Sequence, residues 1–304
     1  MEQDQQQLFA TRGERRTAGW ARVSHGLHVP VGGSPLHAWR LLLPDDGVFT
    51  GVTAAELLGW WMPELPTGYP VFAAVRDGSV RVRRAGIQVS RHPVALPGRL
   101  VAGLPVAEPP EVLLACARHL AVLDLVVLVD AALHLKSCTR ADIEAVLSQG
   151  RRGSPRLRRA LRLADHRSES AWESLLRVLH VACDVPVVPQ FVVTNRYGDF
   201  VARADLRVGE TRTLHEYDGG EHRKVERHRR DLRRERALGA QGWTRRGYSA
   251  PEVRSQGMVI LREADQALGR AHDPRRLRRW STLLGDSTFS PRGRAELAQR
   301  WRLR

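Results

Sequence analysis

The chain has 304 residues, of which 42% are hydrophobic, and a formal net charge of +15. This length and composition exclude disordered and collagen-like proteins and suggest about two domains. Three scattered cysteines without a CxxC pair argue against a disulfide framework or a cysteine-rich zinc site, so we expect a cytoplasmic protein. The N-terminus lacks the layout of a signal peptide, and the longest apolar run, 121–135, contains two aspartates, so we expect no membrane partner.

The predicted elements alternate between helices and strands. In the first half they are a short polar helix, a β-ribbon at 20–30, a capped apolar helix from 53, strands at 71–75 and 80–89, and helices from 110 to about 148. In the second half they are a capped helix from 170, strands at 185–193, 200–208 and 211–218, an arginine-rich helix to about 239, a strand at 243–248 and a helix at 259–268. This order predicts an α+β fold with a small mixed sheet flanked by helices in the second half.

The excess positive charge lies entirely in the second half. Residues 1–150 carry 14 basic and 14 acidic side chains, whereas 151–304 carry 34 basic and 19 acidic ones. Nearly all the basic residues are arginine, which binds phosphate oxygens in a bidentate manner. A GC-rich genome also favours arginine codons, but it does not explain the asymmetry. We therefore predict that a polyanion, most simply duplex DNA, binds the second half.

Three carboxylates are predicted to meet on the strands of the second half. Asp205 lies near the end of one strand, and Glu216 and Asp218 lie near the end of the next, on one face because side chains alternate. Carboxylates this close repel one another, so protons or a cation must occupy the site. Carboxylate oxygens select Mg²⁺ or Mn²⁺. The alternative interpretation is a set of solvated acids at strand ends.

A series of motifs surrounds these carboxylates. They are SAWES at 170–174, Gln190, ADL at 204–206, HEYDG at 215–219, EH at 221–222, RDLRRERAL at 230–238 and GW at 242–243. Together they resemble the restriction-endonuclease-like domain related to the very-short-patch repair endonuclease, which belongs to the PD-(D/E)xK nuclease superfamily. The resemblance covers about residues 165–270.

The resemblance implies a metal-dependent endonuclease that hydrolyses phosphodiester bonds in DNA, in a repair, mobile-element or phage-defence setting. It implies that Asp205 and Glu216 hold Mg²⁺ or Mn²⁺, that Asp218 replaces the usual lysine, that Glu173 reaches in from its helix and that His222 transfers a proton or contacts phosphate. Without the lysine, water activation falls to the metal, Asp218 or His222. Glu173 also fits a plain capping role, and His222 an ordinary surface position.

The candidate nucleic-acid contacts lie on the helix that follows the carboxylates. Four arginines share one face of it and, together with Gln190, are predicted to contact the DNA backbone: Arg223, Arg227, Arg230 and Arg234. Acidic residues on the same helix favour the alternative of a solvated face.

The first half resembles, more loosely, the AbiEi-type antitoxin or transcriptional-regulator family, through segments at 25–30, 52–59, 103–106 and 109–114. The predicted organisation is an antitoxin-like α+β domain at 1–150, a linker at 151–158, a nuclease-like domain at 159–272 and a basic helical tail at 273–304. A toxin or defence-system protein is a candidate partner. The polar strand at 243–248 leaves an alternative function open, a non-enzymatic antitoxin-like or transcriptional regulator whose inactive nuclease fold binds DNA.

Overall fold

The computed structural model describes residues 10–12, 19–219 and 225–302. Helices and strands alternate throughout these segments, which confirms the predicted α+β class. The described strands are β1 (Thr11–Arg12), β2 (Trp20–Ser24), β3 (Leu27–Pro30), β4 (Val48–Phe49), β5 (Val71–Arg76), β6 (Ile87–His92), β7 (Gly98–Val101), β8 (Leu104–Ala107), β9 (Val187–Thr194), β10 (Phe200–Val208), β11 (Thr213–Tyr217) and β12 (Thr244–Tyr248). The described α-helices are α1 (Pro35–Arg40), α2 (Gly51–Leu57), α3 (Pro109–Cys116), α4 (Val122–His134), α5 (Arg140–Ser148), α6 (Ser154–Leu163), α7 (Ala171–Ala182), α8 (Val225–Ala240), α9 (Ala250–Ser255), α10 (Gly257–Ala267), α11 (Leu277–Asp286) and α12 (Pro291–Arg300).

The strands form three sheets. The first half contains a three-stranded sheet, ordered β1-β3-β2, and a five-stranded mixed sheet, ordered β6-β5-β4-β8-β7. The second half contains a four-stranded sheet, ordered β12-β11-β10-β9, in which β9, β10 and β11 are antiparallel and β12 runs parallel to β11. Helices α7 and α8 pack against this last sheet. The mixed sheet flanked by helices is therefore present where the sequence predicts it.

One hydrophobic core joins the two halves of the chain. Its largest cluster of buried residues extends in sequence from Val48 to Trp301 and includes most of α4 and the buried faces of α7 and α10. Helix α4 is apolar on nearly every side, so it is buried all round rather than along one stripe. Helices of the second half pack around it.

Two aspartates of α4 bind the second half of the chain. Asp124 is buried and accepts hydrogen bonds from Thr288 and Ser287. Asp130 is also buried and accepts hydrogen bonds from Arg177 at 2.7 Å and Ser174 at 2.6 Å. These acids distinguish α4 from a membrane span by giving it polar partners inside the fold. Among the described residues, the helices include none with the length and apolarity needed to cross a bilayer.

The segments 151–158 and 273–304, predicted as a linker and a basic helical tail, both pack against the core. Helix α6 begins at Ser154, and Leu157 is fully buried, because its apolar face packs against the core. Gly153 precedes the helix with φ of 101°, a backbone conformation that favours glycine. From Ser154 onward, the linker prediction is therefore replaced by a packed helix. The tail is helical, and Trp280 and Trp301 anchor it in the core.

Candidate active site

Strands β10 and β11 bring the predicted acids together. Asp205 lies inside β10, and its Oδ2 accepts a hydrogen bond from the backbone N–H of Tyr217 at 2.8 Å. On β11, His215 and Tyr217 contact helix α7, where Tyr217 stacks on Trp172 at 5.8 Å between ring centroids. Because side chains alternate along a strand, Glu216 points to the opposite face of the sheet. There it meets helix α8.

Glu216 is held by two arginines. Its side chain is 4% exposed, and its Oε1 and Oε2 accept hydrogen bonds from Arg234 Nη2 at 2.6 Å and Nη1 at 3.0 Å. Its Oε2 also accepts a hydrogen bond from Arg245 Nε at 2.5 Å. The two guanidinium groups together carry more positive charge than the carboxylate carries negative charge. Glu216 is thus neutralised by side chains of α8 and β12.

Asp218 follows the end of β11 and shares one of these arginines. Its Oδ1 accepts a hydrogen bond from Arg245 Nη2 at 2.6 Å, and its side chain is 54% exposed. Its backbone N–H donates to the carbonyl of Tyr248. A Cβ added at Gly247 would lie 2.0 Å from Asp218 Oδ2, so glycine leaves the space that this carboxylate fills. The prediction that Glu216 and Asp218 share a face agrees with their common contact to Arg245.

Glu173 reaches the same region from the first turn of α7. Its backbone N–H donates to Ser170 Oγ at 3.2 Å, and its Oε2 accepts hydrogen bonds from the Glu169 backbone at 2.8 Å and from Gln190 Nε2 at 2.9 Å. Burial raises the pKa of Glu173, against the effect of the Glu169 hydrogen bond. Glu173 therefore both caps its helix and approaches the carboxylate cluster, and Gln190 orients it.

Among the acids of the cluster, Asp205 has the most strongly shifted pKa. Burial raises the pKa of Asp205 to about 7, and the negative charges of Glu173 and Glu216 raise it further, against the hydrogen bond from Tyr217. Within the described residues, no arginine lies within 4.0 Å of it. At neutral pH a proton therefore occupies Asp205 for much of the time.

The divalent cation that the resemblance implies does not fit this arrangement of side chains. Both oxygens of Glu216 accept arginine N–H groups, which occupy the positions that a cation would need. In the described part of the chain, no three His, Cys, Asp or Glu side chains form a group that could hold a metal ion. A cation between Asp205 and Glu216 would require Arg234 and Arg245 to move away.

Among the predicted DNA contacts, Arg234 is engaged inside the fold. Arg234 turns inward to Glu216 and also donates to the backbone carbonyl of Arg203 at 2.7 Å, so its guanidinium is engaged. Arg227 and Arg230 belong to α8. His222 and Arg223 lie outside the described residues.

A buried row of polar side chains behind the sheet is absent from the sequence-based prediction. His180 Nε2 lies 2.8 Å from His215 Nδ1, and the Tyr248 hydroxyl lies 3.3 Å from His215 and donates to Glu263 at 2.6 Å. Burial lowers the pKa of His180 to about 4 and holds that of His215 well below its ordinary value, so both rings are neutral. The alternation of His215 and Tyr217 on one face of β11 was the signal available for this row.

Comparison with known proteins identifies relatives over three quarters of the chain. Two proteins of Mycobacterium tuberculosis are each 31% identical to the chain over 236 residues, which is 75% of this chain and 85% of each relative: the uncharacterized protein MT2308 of strain CDC 1551 / Oshkosh and the uncharacterized protein Rv2248 of strain ATCC 25618 / H37Rv. The chain belongs to their family. No protein-family model matches the chain, and no solved structure matches it. The nuclease-like and antitoxin-like resemblances therefore stay predictions.

Proposed function

We propose that the chain is a non-enzymatic nucleic-acid-binding protein whose nuclease-like carboxylate cluster is neutralised by arginine instead of a metal ion. The observation that carries this proposal is the pair of guanidinium groups on Glu216. Arg234 binds both oxygens of a nearly buried carboxylate, and Arg245 adds a third hydrogen bond and continues to Asp218. This function corresponds to the regulator alternative, with DNA as the first candidate ligand.

The energetics of Glu216 favour arginine over a cation. A carboxylate offers about four lone-pair positions, and three of them accept N–H groups here. Hydrogen bonds to charged groups contribute about 1.5–3 kcal/mol each, so releasing all three costs several kcal/mol. A divalent cation binding at Glu216 must recover that cost and tolerate two nearby guanidinium charges.

Divalent cations provide the direct test of this proposal. We expect no rise in melting temperature on adding Mg²⁺ or Mn²⁺ at constant ionic strength, no plasmid nicking in either ion, and no higher affinity for a DNA duplex in Mg²⁺ than in EDTA. The matched variants are Arg245→Gln, which removes hydrogen bonds to Glu216 and Asp218, and Arg246→Gln, which changes an exposed neighbour on the same strand. A cation-dependent rise in the wild-type melting temperature would contradict the proposal.

A metal-dependent endonuclease acting on DNA is the second candidate function. One observation favours it: Glu173 and Glu216 lie close enough to Asp205 to raise its pKa, a repulsion that a bound cation would relieve. This function requires Arg234 and Arg245 to release Glu216. It predicts nicking that depends on Mg²⁺ or Mn²⁺ and disappears in Asp205→Asn. Nicking that persists in that variant would point to a contaminating nuclease.

A further inference from the structure

A groove between helices α6 and α11 concentrates arginines away from the carboxylate cluster. The cavity measures about 370 Å³. Two arginines line it from each helix, namely Arg159, Arg162, Arg278 and Arg279. Its apolar lining includes Val122, Leu163, Val181 and Leu283. No acidic side chain among the described residues lines this α6–α11 groove, so its positive charge is not offset from within.

The arginines of the groove are available to a ligand. Among the described residues, Arg159, Arg162 and Arg278 have no carboxylate within 4.0 Å, and all three are exposed. Arg279 approaches Asp184 at 3.5 Å, where both side chains are largely in solvent. An exposed pair of this kind contributes little and exchanges readily for another anion. By contrast, Arg234 and Arg245 at the carboxylate cluster are already bound.

The positive surface continues beyond the groove. Arg159 also lines a neighbouring cavity of about 260 Å³, together with Arg156 and Arg300. Burial and the charges of Arg300, Arg152 and Arg159 lower the pKa of Arg156, which records how closely these cations approach one another. An anion bound among them would relieve this repulsion. The acids of that cavity are engaged elsewhere in the fold by Arg292, Ser287 and Thr288.

The spacing of the arginines selects a repeating anion over a single one. Arg159 and Arg162 lie about one helical turn apart on α6, about 4.5 Å at a rise of about 1.5 Å per residue, whereas Arg156 already donates to the backbone carbonyls of Ala117 and Leu120. A duplex strand presents one phosphate in about 3.4 Å of its axis, so these two arginines can face successive phosphates of one strand. We propose that the α6–α11 groove binds the phosphate backbone of a nucleic acid. This inference rests on the proposed nucleic-acid-binding function and assigns it a surface.

The apolar side chains of the groove agree with a nucleic acid better than with a membrane. They line the same cavity as the four arginines, a recess that a flat bilayer does not enter, whereas sugar groups between phosphates can contact them. A phospholipid surface would instead be bound by apolar side chains that protrude. Binding to anionic vesicles is therefore a separate outcome of the test.

The experiment measures binding of the full chain to a fluorescent duplex of about 20 base pairs in EDTA, by anisotropy, between about 50 and 200 mM salt. The test variant is R159Q/R162Q, and the matched control is R81Q/R83Q, which removes two exposed arginines of the first half. We expect the test variant to bind at least about tenfold more weakly at about 100 mM salt. The negative slope of log K against log salt should become shallower by about 1.8, at about 0.9 for each lost phosphate contact. The control should change affinity less than about twofold.

Several results would overturn the inference. Equal losses in the two double variants would show that net charge, rather than the groove, sets affinity. An unchanged R159Q/R162Q beside a weakened R227Q/R230Q would place the interface on α8. Preference for anionic phospholipid vesicles over the duplex would identify a membrane surface. Each of these three results contradicts the assignment of the groove, while the proposed function is decided by the affinity of the wild-type chain for the duplex. A wild-type chain that binds no duplex would refute the proposed function together with the inference.

Discussion

Replacing Asp205 by asparagine tests whether the carboxylate cluster is strained by its own charge. The pKa of Asp205 is raised by burial and by its neighbours from its ordinary value, 3.8, to about 7. At about 1.4 kcal/mol for each pH unit, that difference corresponds to at most about 4 kcal/mol. Asparagine has nearly the same shape, and its side-chain oxygen can still accept the hydrogen bond from the Tyr217 N–H.

The sign of the effect follows from proton binding. Between about pH 4 and pH 7 the folded chain holds a proton on Asp205 that the unfolded chain releases. The group's contribution to stability is therefore greatest at low pH and declines as the pH rises through about 7. About 2.5 kcal/mol of this decline falls between about pH 5 and pH 8. The unfolding free energy of Asp205→Asn minus that of wild type should therefore rise by up to about 2.5 kcal/mol from about pH 5 to about pH 8.

Urea denaturation of both proteins at about pH 5 and pH 8 in EDTA measures this difference. Comparing the two proteins at each pH cancels the titration of all groups that they share. Asp77→Asn is the control, because it removes an exposed carboxylate and the same unit of charge. A difference between Asp205→Asn and wild type that stays the same at both pH values, within about 0.5 kcal/mol, would show that Asp205 is ionised in the folded chain. That result would refute the inference that Asp205 holds a proton and, with it, the inference of electrostatic strain in the cluster.

Two further predictions concern the junction of the two halves. Arg177→Met should lower the free energy of unfolding by about 3–5 kcal/mol, because it leaves Asp130 buried without its cation, whereas Arg279→Met should change it by less than about 1 kcal/mol. Urea midpoints of the two variants check this contrast. The fragment 151–304 should show no cooperative unfolding transition and poor dispersion of amide NMR signals, because its helices lose the core helix α4. A sharp transition in the isolated fragment would show that the halves fold independently.

The local structure of the second half follows closely from the sequence. Ser170 caps α7 as its spacing to Glu173 predicts, and prolines place β9 at the edge of the sheet. Turn residues and alternation along β10 and β11 bring Asp205 to the backbone of Tyr217. These features depend on neighbours a few residues apart, which a sequence pattern records directly.

The partners of the acids are less accessible to sequence reasoning. Arg245 is 29 residues from Glu216 and reaches it only because β12 pairs in parallel with β11. In a chain so rich in arginine, no pattern distinguishes this residue from its solvated neighbours. The helix that begins within the predicted linker is hidden for a related reason. Around α6 the glycine, serine and arginine content masks the spacing of Leu157 and Leu161, whose burial is decided by the distant helix α4.

Charge pairing in the cluster also constrains where an anionic ligand can bind. Glu216 and Asp218 are neutralised by arginine, while Asp205 relieves its charge by holding a proton. Arg234 and Arg245 are therefore committed to carboxylates, and a phosphate bound to them would leave Glu216 buried without a partner, at a cost of several kcal/mol. A polyanion is better served by exposed arginines that hold no buried carboxylate. In the described part of the chain, the α6–α11 groove presents such arginines on two adjacent helices.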